Sequence, residues 1–361
     1  MKILFLNTNI GYGGASKILI WVANQGASKG HNVTLLTYRD KGVRQYVDPL
    51  VKLVHEQLED TDGKGNTLVT VRWIHRFINK NKFDVGVAFL SPSMLRLALS
   101  AKGTDMRVVF SHRGDPYYSG TGNSFKSKLI NRLNNWAFNQ ADGFVFQTKM
   151  AREYYSKSVK ERSVVIPNPI HPLERTVVRN GNMRKSIVSV GRLDLKQKRQ
   201  DVMIEAFNMI SSKYPEFKLE IFGDGEDETK VKQMAASNPK ILLMGKTSNV
   251  VDAIQNAWAI VLSSDFEGIP NVLLEAMSLG VPCISTDCSP GGAAMLIHNR
   301  ENGILTPRGD AKALAEAMEY MISHSLEAES MGKKGMNVTE LYSENIVAEK
   351  WLSFLESFDN A

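Results

Sequence analysis

The sequence predicts an α/β protein with two doubly wound domains, each a parallel sheet between layers of helices. The first observation is length, because 361 residues exceed what one hydrophobic core of ordinary size organises. The second is that short apolar segments alternate with helical segments along the chain. The third is that this alternation stops near residue 170 and starts again at residue 186. We therefore predict one domain over residues 1–172 and a second over 173–343.

The strands of the first domain are short runs rich in Val, Ile, Leu and Phe. They are predicted at 2–8, 32–38, 84–90, 107–111, 143–147 and 163–169. A helix is predicted directly after the first strand, because Ile18, Leu19 and Val22 recur at helical spacing. The apolar run at 3–6 is too short for a signal peptide and a glycine-rich turn follows it, so a first strand is the better interpretation.

The second domain repeats the alternation after segment 171–185, which has no convincing period and is interpreted as a linker. Its strands are predicted at 186–191, 217–225, 240–245, 257–264 and 281–287, and its helices at 201–214, 249–257, 271–279 and 310–323. A last helix, 344–358, is predicted to present one apolar face, formed by Ile346, Val347, Trp351, Leu352 and Leu355. Sheets of this kind bind ligands at the carboxyl ends of their strands.

Charge is distributed unevenly between the two halves. Residues 1–172 hold 24 lysines and arginines against 12 aspartates and glutamates, a formal charge of +12, and the remainder carries −6. A basic first half favours an anionic partner such as a membrane surface, a lipid diphosphate or nucleic acid. The predicted helix 125–138, with its basic and apolar residues, is the candidate for membrane contact. The alternative is a solvated basic face without a partner.

Composition excludes several other classes. Two cysteines, Cys283 and Cys288, are too few for a disulfide framework, so a cytoplasmic location is expected. No run of eighteen apolar residues occurs, so no membrane-spanning helix is expected. The pair Asp60 and Asp62 resembles the D-x-D of metal-dependent sugar transferases, but it lies in a polar loop with no strand before it. Turn chemistry explains this pair, and we predict no metal site.

A glycine loop after the first strand is the first candidate site. Gly11, Gly13 and Gly14 lie between the strand and the helix, where glycine lets the backbone approach a ligand and a helix N-terminus favours anions. A dinucleotide-binding loop would have glycine where Ser16 stands, so that interpretation is weak. A tight strand-to-helix turn without a ligand explains the glycines equally well.

A basic loop after strand 186–191 is the second candidate site. It begins with Gly191 and Arg192 and continues through Lys196, Lys198 and Arg199 to a helix. Arginine offers a planar fork of donors and lysine a point charge, and both suit a diphosphate. The alternative is a solvated basic loop.

Two glutamates eight residues apart form the third candidate site. Glu267 precedes the helix predicted at 271–279, and Glu275 lies inside its first turns. Backbone N–H groups around the start of this helix, 269–272, suit a phosphate. Carboxylates accept hydrogen bonds from hydroxyl pairs, so Glu275 is expected to reach a ribose and Glu267 a sugar. The alternative for Glu275 is an ordinary position on a helix surface, which the apolar neighbours disfavour.

Together these segments resemble retaining glycosyltransferases of family four, which have the GT-B fold. The resemblance covers nearly the whole chain. It is carried by GGA at 13–15, IPNP at 166–169, VGRLDLKQKR at 190–199, DVMIEAF at 201–207, IFGDGED at 221–227 and FEGIPNVLLEAMSLGVPCISTD at 266–287. The last segment is the most specific, because it contains the family's Glu-x7-Glu spacing.

The resemblance implies roles for individual residues. Arg192 and Lys198 would bind the donor diphosphate, Glu275 the ribose and Glu267 the hydroxyls of the donor sugar. The basic loop is one residue longer than its commonest form, which leaves Lys196 as an alternative, and counting back from Phe207 favours Lys198. The backbone would contact the sugar and phosphates at Gly13, Gly14, Pro270, Asn271 and Val272. Segment 245–250, with Gly245, Lys246 and Val250, would hold the base.

The first domain is implied to bind the acceptor and to receive the last helix, 344–361. His112 matches a histidine that approaches the donor sugar in this family, and Arg113 and Asp115 are weaker candidates for acceptor contact. A lone histidine is more often structural, but a strand end favours function here.

The implied activity is transfer of a hexose or N-acetylhexosamine, with retention, from a nucleotide diphosphate sugar. We favour UDP, no metal or other cofactor, and a lipid-linked or polysaccharide acceptor of a bacterial envelope. The enzyme would act in the cytoplasm or at the inner face of the plasma membrane. A nucleotide-sugar epimerase and a non-catalytic binder of nucleotide sugars or nucleic acid are the alternatives. The acidic second half argues against nucleic acid as a partner.

Overall fold

The protein divides into two compact units. The computed structural model describes residues 1–11, 14–39, 46–58, 67–89, 91–118, 125–171 and 183–359, and gives only the backbone of 125–131. The first unit comprises Met1–Gly114, Ser119–Pro167 and Asn345–Ala361. The second comprises Asp115–Tyr118 and Asn168–Glu344.

The described part of the first unit contains a seven-stranded parallel sheet with helices on both faces. Its strands are β1 (Lys2–Asn7), β2 (Asn32–Thr37), β3 (Lys52–His55), β4 (Val85–Ala88), β5 (Arg107–His112), β6 (Gly143–Phe146) and β7 (Ser163–Val165). Its helices before residue 168 are α1 (Gly14–Ser28), α2 (Thr67–Asn81), α3 (Ser91–Ala101), α4 (Phe125–Asn139), α5 (Lys149–Glu153) and α6 (Lys157–Glu161). The strand order β3-β2-β1-β4-β5-β6-β7 reverses direction between β1 and β4.

The apolar character of the strands follows from burial on both faces. In β1, Ile3 and Phe5 belong to one core layer, and Leu4 and Leu6 belong to the layer on the opposite face. Successive side chains of a strand point to opposite faces, so a sheet covered by helices on both sides needs an almost continuous apolar run.

The second unit repeats this architecture with six parallel strands in its described residues. The strands are β8 (Ser186–Val190), β9 (Lys218–Phe222), β10 (Ile241–Gly245), β11 (Ala259–Leu262), β12 (Cys283–Thr286) and β13 (Ile304–Thr306). The helices are α7 (Gln200–Ile210), α8 (Glu228–Ala235), α9 (Val250–Ile254), α10 (Asn271–Ser278), α11 (Gly292–Leu296), α12 (Ala311–Ser323), α13 (Ser325–Gly335) and α14 (Val338–Leu341). The order β10-β9-β8-β11-β12-β13 reverses between β8 and β11.

The last helix, α15 (Glu344–Glu356), contributes to the core of the first unit. Trp351 is fully buried there and stacks on Phe89 with ring centroids 5.5 Å apart. Val347, Leu352 and Leu355 are also buried, as the apolar face predicted. The prediction for Ile346 was wrong, because this side chain is 39% exposed.

Two doubly wound parallel sheets confirm the predicted fold class. Strand β3 was not predicted, because its sequence KLVH is short and its side chains are mostly exposed. Helix α9 ends three residues earlier than predicted. Cys283 and Cys288 are both buried and unbonded to each other. Among the residues that the structure describes, no helix is long and apolar enough to cross a membrane.

Candidate active site

A cluster of charged side chains in the second unit lies where its strand order reverses. The loop after β8 carries Lys198, and the loop after the neighbouring strand β11 carries Glu267. Lys198 Nζ donates a hydrogen bond to Glu267 Oε1, and the two side chains are 21% and 11% exposed. Ser264 Oγ donates to the same carboxylate oxygen at 2.8 Å. The reversal point of a doubly wound sheet is where such sheets bind ligands.

Arg192 lies in the same loop as Lys198 but reaches further into solvent. Its side chain is 60% exposed, with Nη2 3.0 Å from Asp194 Oδ2 and 2.8 Å from Gln197 Oε1. An exposed pair of this kind is weak, so the guanidinium can exchange its partner for a ligand anion at little cost. Arg192 and Lys198 thus present cations from one loop.

Asp194 shapes the basic loop, a role that the sequence did not reveal. Its Oδ1 accepts hydrogen bonds from the N–H groups of Lys196, at 3.1 Å, and Gln197, at 3.0 Å. Its carbonyl accepts from the N–H of Lys198 at 2.7 Å. This turn leaves the Lys196 side chain exposed, while Lys198 is directed to Glu267. The only advance signal was an aspartate near the start of a loop, which is common in turns.

Glycines let the backbone segments of this region pack closely. A Cβ atom on Gly191 would lie 3.6 Å from Lys198 Cε, so the lysine stem lies over the glycine. A Cβ on Gly223 would lie 1.9 Å from the Gly191 carbonyl oxygen, and one on Gly292 only 1.5 Å from that of Gly268. The backbone at Gly223 therefore packs directly against the loop that carries Arg192, and the backbone at Gly292 packs against the loop that carries Glu267. A residue with a Cβ atom at either position would clash.

Helix α10 begins beside the Glu267 loop, as predicted. Pro270 precedes its first residue, Asn271, and Val272 follows in the first turn. Asn271 Oδ1 accepts a hydrogen bond of 2.7 Å from the side chain of Asn168. Glu275 lies one turn further along and is half-buried. The helix therefore offers its N-terminal end next to the Glu267 loop and carries one half-buried carboxylate a turn further along.

The segment predicted to hold a base lies at the edge of the same sheet. Gly245 ends the edge strand β10 with φ at 72°, a left-handed conformation suited to glycine, and its carbonyl accepts from the Gly223 N–H at 2.8 Å. Lys246 Nζ lies 3.3 Å from Asp224 Oδ2, and Val250 is the first residue of α9. This segment therefore follows a strand two positions from β8.

The glycine loop of the first unit is described in part. Gly14 is the first residue of α1, and the Gly11 N–H donates to Asn9 Oδ1 at 3.0 Å. Gly13 lies outside the described residues, as does the pair Asp60 and Asp62. Within the described ranges, no group of three or more His, Cys, Asp or Glu is placed to hold a metal ion.

His112 ends strand β5 among aromatic rings. Its ring lies edge-on to Phe138 at 6.3 Å and to Tyr155 at 5.9 Å. Arg113 follows, with its guanidinium carbon 4.6 Å from the ring centre of Phe89 and 5.6 Å from that of Trp351. Burial lowers the pKa of Arg113 to about 9. These contacts give Arg113 a packing role, which weakens its candidacy for contact with an acceptor.

Two family models match the chain, one for each half. The model described as Glycosyltransferase Family 4 matches residues 12–172. The model described as Glycosyl transferases group 1 matches residues 184–324. The second match contains Arg192, Lys198, Glu267 and Glu275.

Two known proteins are similar to this chain along nearly all of its sequence. An uncharacterized glycosyltransferase of Haemophilus influenzae is 24% identical over 363 residues, which cover 98% of this chain and 99% of the relative. A Campylobacter jejuni protein is 23% identical over 372 residues, which cover 100% of both chains. It is named GalNAc-alpha-(1->4)-GalNAc-alpha-(1->3)-diNAcBac-PP-undecaprenol alpha-1,4-N-acetyl-D-galactosaminyltransferase.

Among solved structures, the HepE protein of Anabaena in complex with UDP is similar over the whole chain. The TM-score is 0.78 at 16% identity, with 99% of this chain and 100% of that chain covered. At this level of identity the similarity shows the fold alone, and it confirms the predicted GT-B fold.

Proposed function

The chain belongs to glycosyltransferase family 4, and on that premise we propose that it transfers a hexose or N-acetylhexosamine from a UDP-linked donor with retention of configuration. The observation that carries the proposal is the Lys198–Glu267 pair beside Arg192, at the reversal point of the second sheet. When a donor binds, the cation of such a half-buried pair can bind the phosphate. The carboxylate that it releases can then accept hydrogen bonds from sugar hydroxyls.

The basic loop would serve the leaving group. Breaking the bond between the anomeric carbon and the diphosphate oxygen places negative charge on UDP. Lys198 would meet that charge as a point cation, and Arg192 would meet it as a fork of donors. Stabilisation of developing charge by donors already in place is commonly the largest single contribution to catalysis.

The other site residues would fix the rest of the donor. Glu267 would accept hydrogen bonds from sugar hydroxyls and Glu275 from the ribose. Phosphate oxygens would meet the backbone at the start of α10, at Pro270, Asn271 and Val272. The base would lie against Gly245, Lys246 and Val250. The resemblance supports these assignments, together with the position of each residue at a strand end or helix start in the second unit.

We propose that domain 1–172 binds the acceptor and that domain 173–343 binds the nucleotide-sugar donor. The backbone of Gly13 and Gly14 would contact the donor phosphates and sugar, and His112 would approach the donor sugar. The aromatic rings around His112 restrict its ring orientation, which suits a positioned donor or acceptor.

In the proposed reaction, an acceptor hydroxyl attacks the anomeric carbon from the face that UDP leaves. The bond from carbon to the diphosphate oxygen breaks, the new glycosidic bond forms, and the hydroxyl proton passes to a departing phosphate oxygen. The transition state would resemble an oxocarbenium ion. The chain would contribute position and leaving-group stabilisation, with no metal or other cofactor.

An acceptor of bacterial envelope glycan synthesis is the class we favour. The name of the Campylobacter jejuni relative describes an undecaprenyl diphosphate acceptor, and the structure of HepE contains UDP. The formal charge of +12 on residues 1–172 suits a lipid diphosphate at an anionic membrane. We therefore propose action in the cytoplasm or at the inner face of the plasma membrane, and we propose no nucleic-acid partner.

The first test is a thermal-shift screen with UDP, GDP, ADP and their common sugar conjugates, in the presence of EDTA. A ligand that binds only the folded protein raises its melting temperature by mass action. We expect a shift with uridine nucleotides that Glu275→Ala removes. Stabilisation by another base would correct the donor, and no response to any nucleotide would contradict the proposed site.

The second test uses the turnover of the donor selected by the screen. Arg192→Ala and Lys198→Ala should each lower kcat/KM by roughly 10²–10³-fold if they stabilise the leaving group. Lys196→Ala is the matched control, because its side chain is exposed in the same loop. Unchanged kcat/KM in both site variants would sink the assignment. Release of UDP-linked epimer without acceptor would favour the epimerase alternative.

A further inference from the structure

The loops that carry Lys198 and Glu267 are tied together by direct hydrogen bonds. The N–H of Asp265 donates to the carbonyl of Gln197 at 2.9 Å, and Ser263 Oγ donates to the carbonyl of Lys198 at 2.7 Å. These two hydrogen bonds therefore fix the position of the loop after β8 relative to the loop after β11. Because Lys198 and Glu267 lie within two residues of these contacts, that relative position decides whether this cation and this carboxylate meet.

Arg199 adds an ionic link across the same two loops. Its Nη1 donates to Asp265 Oδ2 at 3.0 Å, while Nε and Nη2 donate to the carboxylate of Asp201 at 3.0–3.2 Å. The side chains of Arg199 and Asp265 are 27% and 18% exposed. Hydrogen bonds to Asp201 and to Asp265 raise the pKa of Arg199 above its usual range, so the charge persists at every relevant pH. The guanidinium thus bonds to the first turn of α7 on one side and across to the Glu267 loop on the other.

The backbone of Arg199 is held in an unfavourable conformation. Its φ and ψ are 51° and 48°, in the left-handed region that glycine adopts freely and that arginine avoids. A residue other than glycine persists there when surrounding contacts over-determine it, and such positions concentrate at functional sites. Here the contacts that offset the strain are those to Asp201 and Asp265.

We infer that Arg199 and Asp265 are positioning residues that hold Lys198 against Glu267. Arg199 directly follows Lys198, and Asp265 precedes Glu267 by two residues, so each member of the clamp fixes one member of the site. Asp201 supplies the local anchor on α7, and Asp265 supplies the link across the loops. The part of this inference that concerns the UDP donor rests on the proposed function, and the part that concerns Lys198 and Glu267 does not.

Two variants separate positioning from folding. Arg199→Gly removes the guanidinium and relieves the backbone strain at once, and because these two effects oppose each other the variant should fold with a melting temperature close to that of the wild type. Asp265→Asn keeps the side-chain size and removes the charge across the loops. Lys213→Gln is the control, because it breaks an exposed ion pair with Glu319 elsewhere in the same unit.

The first measurement does not depend on any nucleotide. Labelling of lysines with acetic anhydride, followed residue by residue by mass spectrometry, reports how well Lys198 is protected by its bond to Glu267. The rate at Lys198 should rise roughly three- to thirtyfold in Arg199→Gly and Asp265→Asn, the range expected for coupled residues in contact. It should stay constant in Lys213→Gln.

The second measurement is the dissociation constant for UDP by calorimetry, followed by kcat/KM with its sugar conjugate. We expect both clamp variants to lose kcat/KM by roughly tenfold or more, with the melting temperature of Arg199→Gly maintained. Unchanged labelling of Lys198 in both variants would overturn the inference, even where UDP binds. Raised labelling of Lys198 in both variants, together with a wild-type protein that binds no nucleotide, would uphold the clamp and contradict the proposed function instead.

Discussion

Substitution of Gly292 by alanine is the sharpest test of the backbone packing behind Glu267. A Cβ at this position would lie 1.5 Å from the Gly268 carbonyl oxygen and 2.6 Å from its carbon, although real Cβ contacts essentially never fall under 3.0 Å. The contacted atoms are backbone, so no side chain can rotate away. The 267–268 segment or helix α11 must therefore move by about 1.5 Å.

The size of the effect follows from that displacement. Forcing extra volume into a packed interior costs about 1–3 kcal/mol. For a domain of this size, each 1 kcal/mol lowers the melting temperature by about 2–4 °C, so a decrease of about 2–12 °C is expected. A catalytic group misplaced by about 1 Å can lose about 10²-fold in rate. Glu267 directly precedes Gly268, so kcat/KM should fall by that order, well beyond the effect on stability.

Gly30→Ala provides a control away from the site, in the first unit. Gly30 has φ at 87°, and no heavy atom of the described residues lies within 4 Å of the position of its Cβ, so alanine is strained there without a clash. The variant should lose about 1–2 kcal/mol of stability and keep its kcat/KM. Both variants are compared by thermal unfolding and by turnover of the selected donor with water or an acceptor. Wild-type turnover in Gly292→Ala would refute the reasoning.

Three further predictions concern the core and the thiols. Gly143→Ala would place Cβ 2.6 Å from the Phe358 ring and 2.9 Å from the Phe354 ring, so thermal unfolding should show a loss of about 1–3 kcal/mol with UDP affinity unchanged. Trp351→Leu empties a fully buried site, and urea unfolding should show a loss of about 2–4 kcal/mol. Burial raises the pKa of the Cys288 thiol to about 12 from a usual value of 9.0. The free energy of unfolding therefore contains the full contribution of this thiol below pH 9 and loses it as the pH rises towards 12. Because the thiol is buried and protonated at pH 8, iodoacetamide should label it only after unfolding.

Much of the fold could be predicted because buried parallel strands leave strong signals in a sequence. Segments such as Lys2–Asn7 and Ala259–Leu262 are buried on both faces and are therefore continuously apolar. Strand Lys52–His55 lies at the sheet edge with mostly exposed side chains, so burial imposed no pattern on it. Ile346 was predicted to be buried because helical periodicity shows which face of a helix is apolar. It does not show where the surface that packs against that face ends.

The candidate site was predictable in its residue types but not in its internal bonds. The spacing of Glu267 and Glu275 and the cluster of cations around Lys198 are visible in the sequence. The choice between Lys196 and Lys198 depends on a turn around Asp194 that brings only Lys198 to Glu267. Such contacts between loops arise from the pairing of β8 and β11, which are far apart along the chain.

The bond between Lys198 and Glu267 has a consequence for the order of events at the proposed donor site. Without a donor, the cation is bound to the carboxylate, and Ser264 bonds to the same oxygen. A diphosphate must therefore displace Glu267 from Lys198, and the displaced carboxylate becomes available to the hydroxyls of the sugar. UDP alone would bear the free-energy cost of displacing Glu267 without forming new bonds to its carboxylate. A sugar conjugate would offset that cost, because its hydroxyls bind the displaced carboxylate.

Glu267→Gln tests that coupling. The amide keeps the size of the side chain and its hydrogen bond from Ser264 but removes the charge that holds Lys198. UDP should bind at least as tightly as to the wild type and up to about 10²-fold more tightly, since the charged hydrogen bond that it must displace contributes about 1.5–3 kcal/mol. Turnover of the sugar conjugate should fall by about 10²-fold or more, because an amide accepts fewer hydroxyl bonds. Calorimetry measures the first quantity and steady-state kinetics the second, with Lys196→Ala as the control. Weaker binding of UDP in Glu267→Gln, with turnover reduced to the same extent, would mean that the carboxylate only supports the loop.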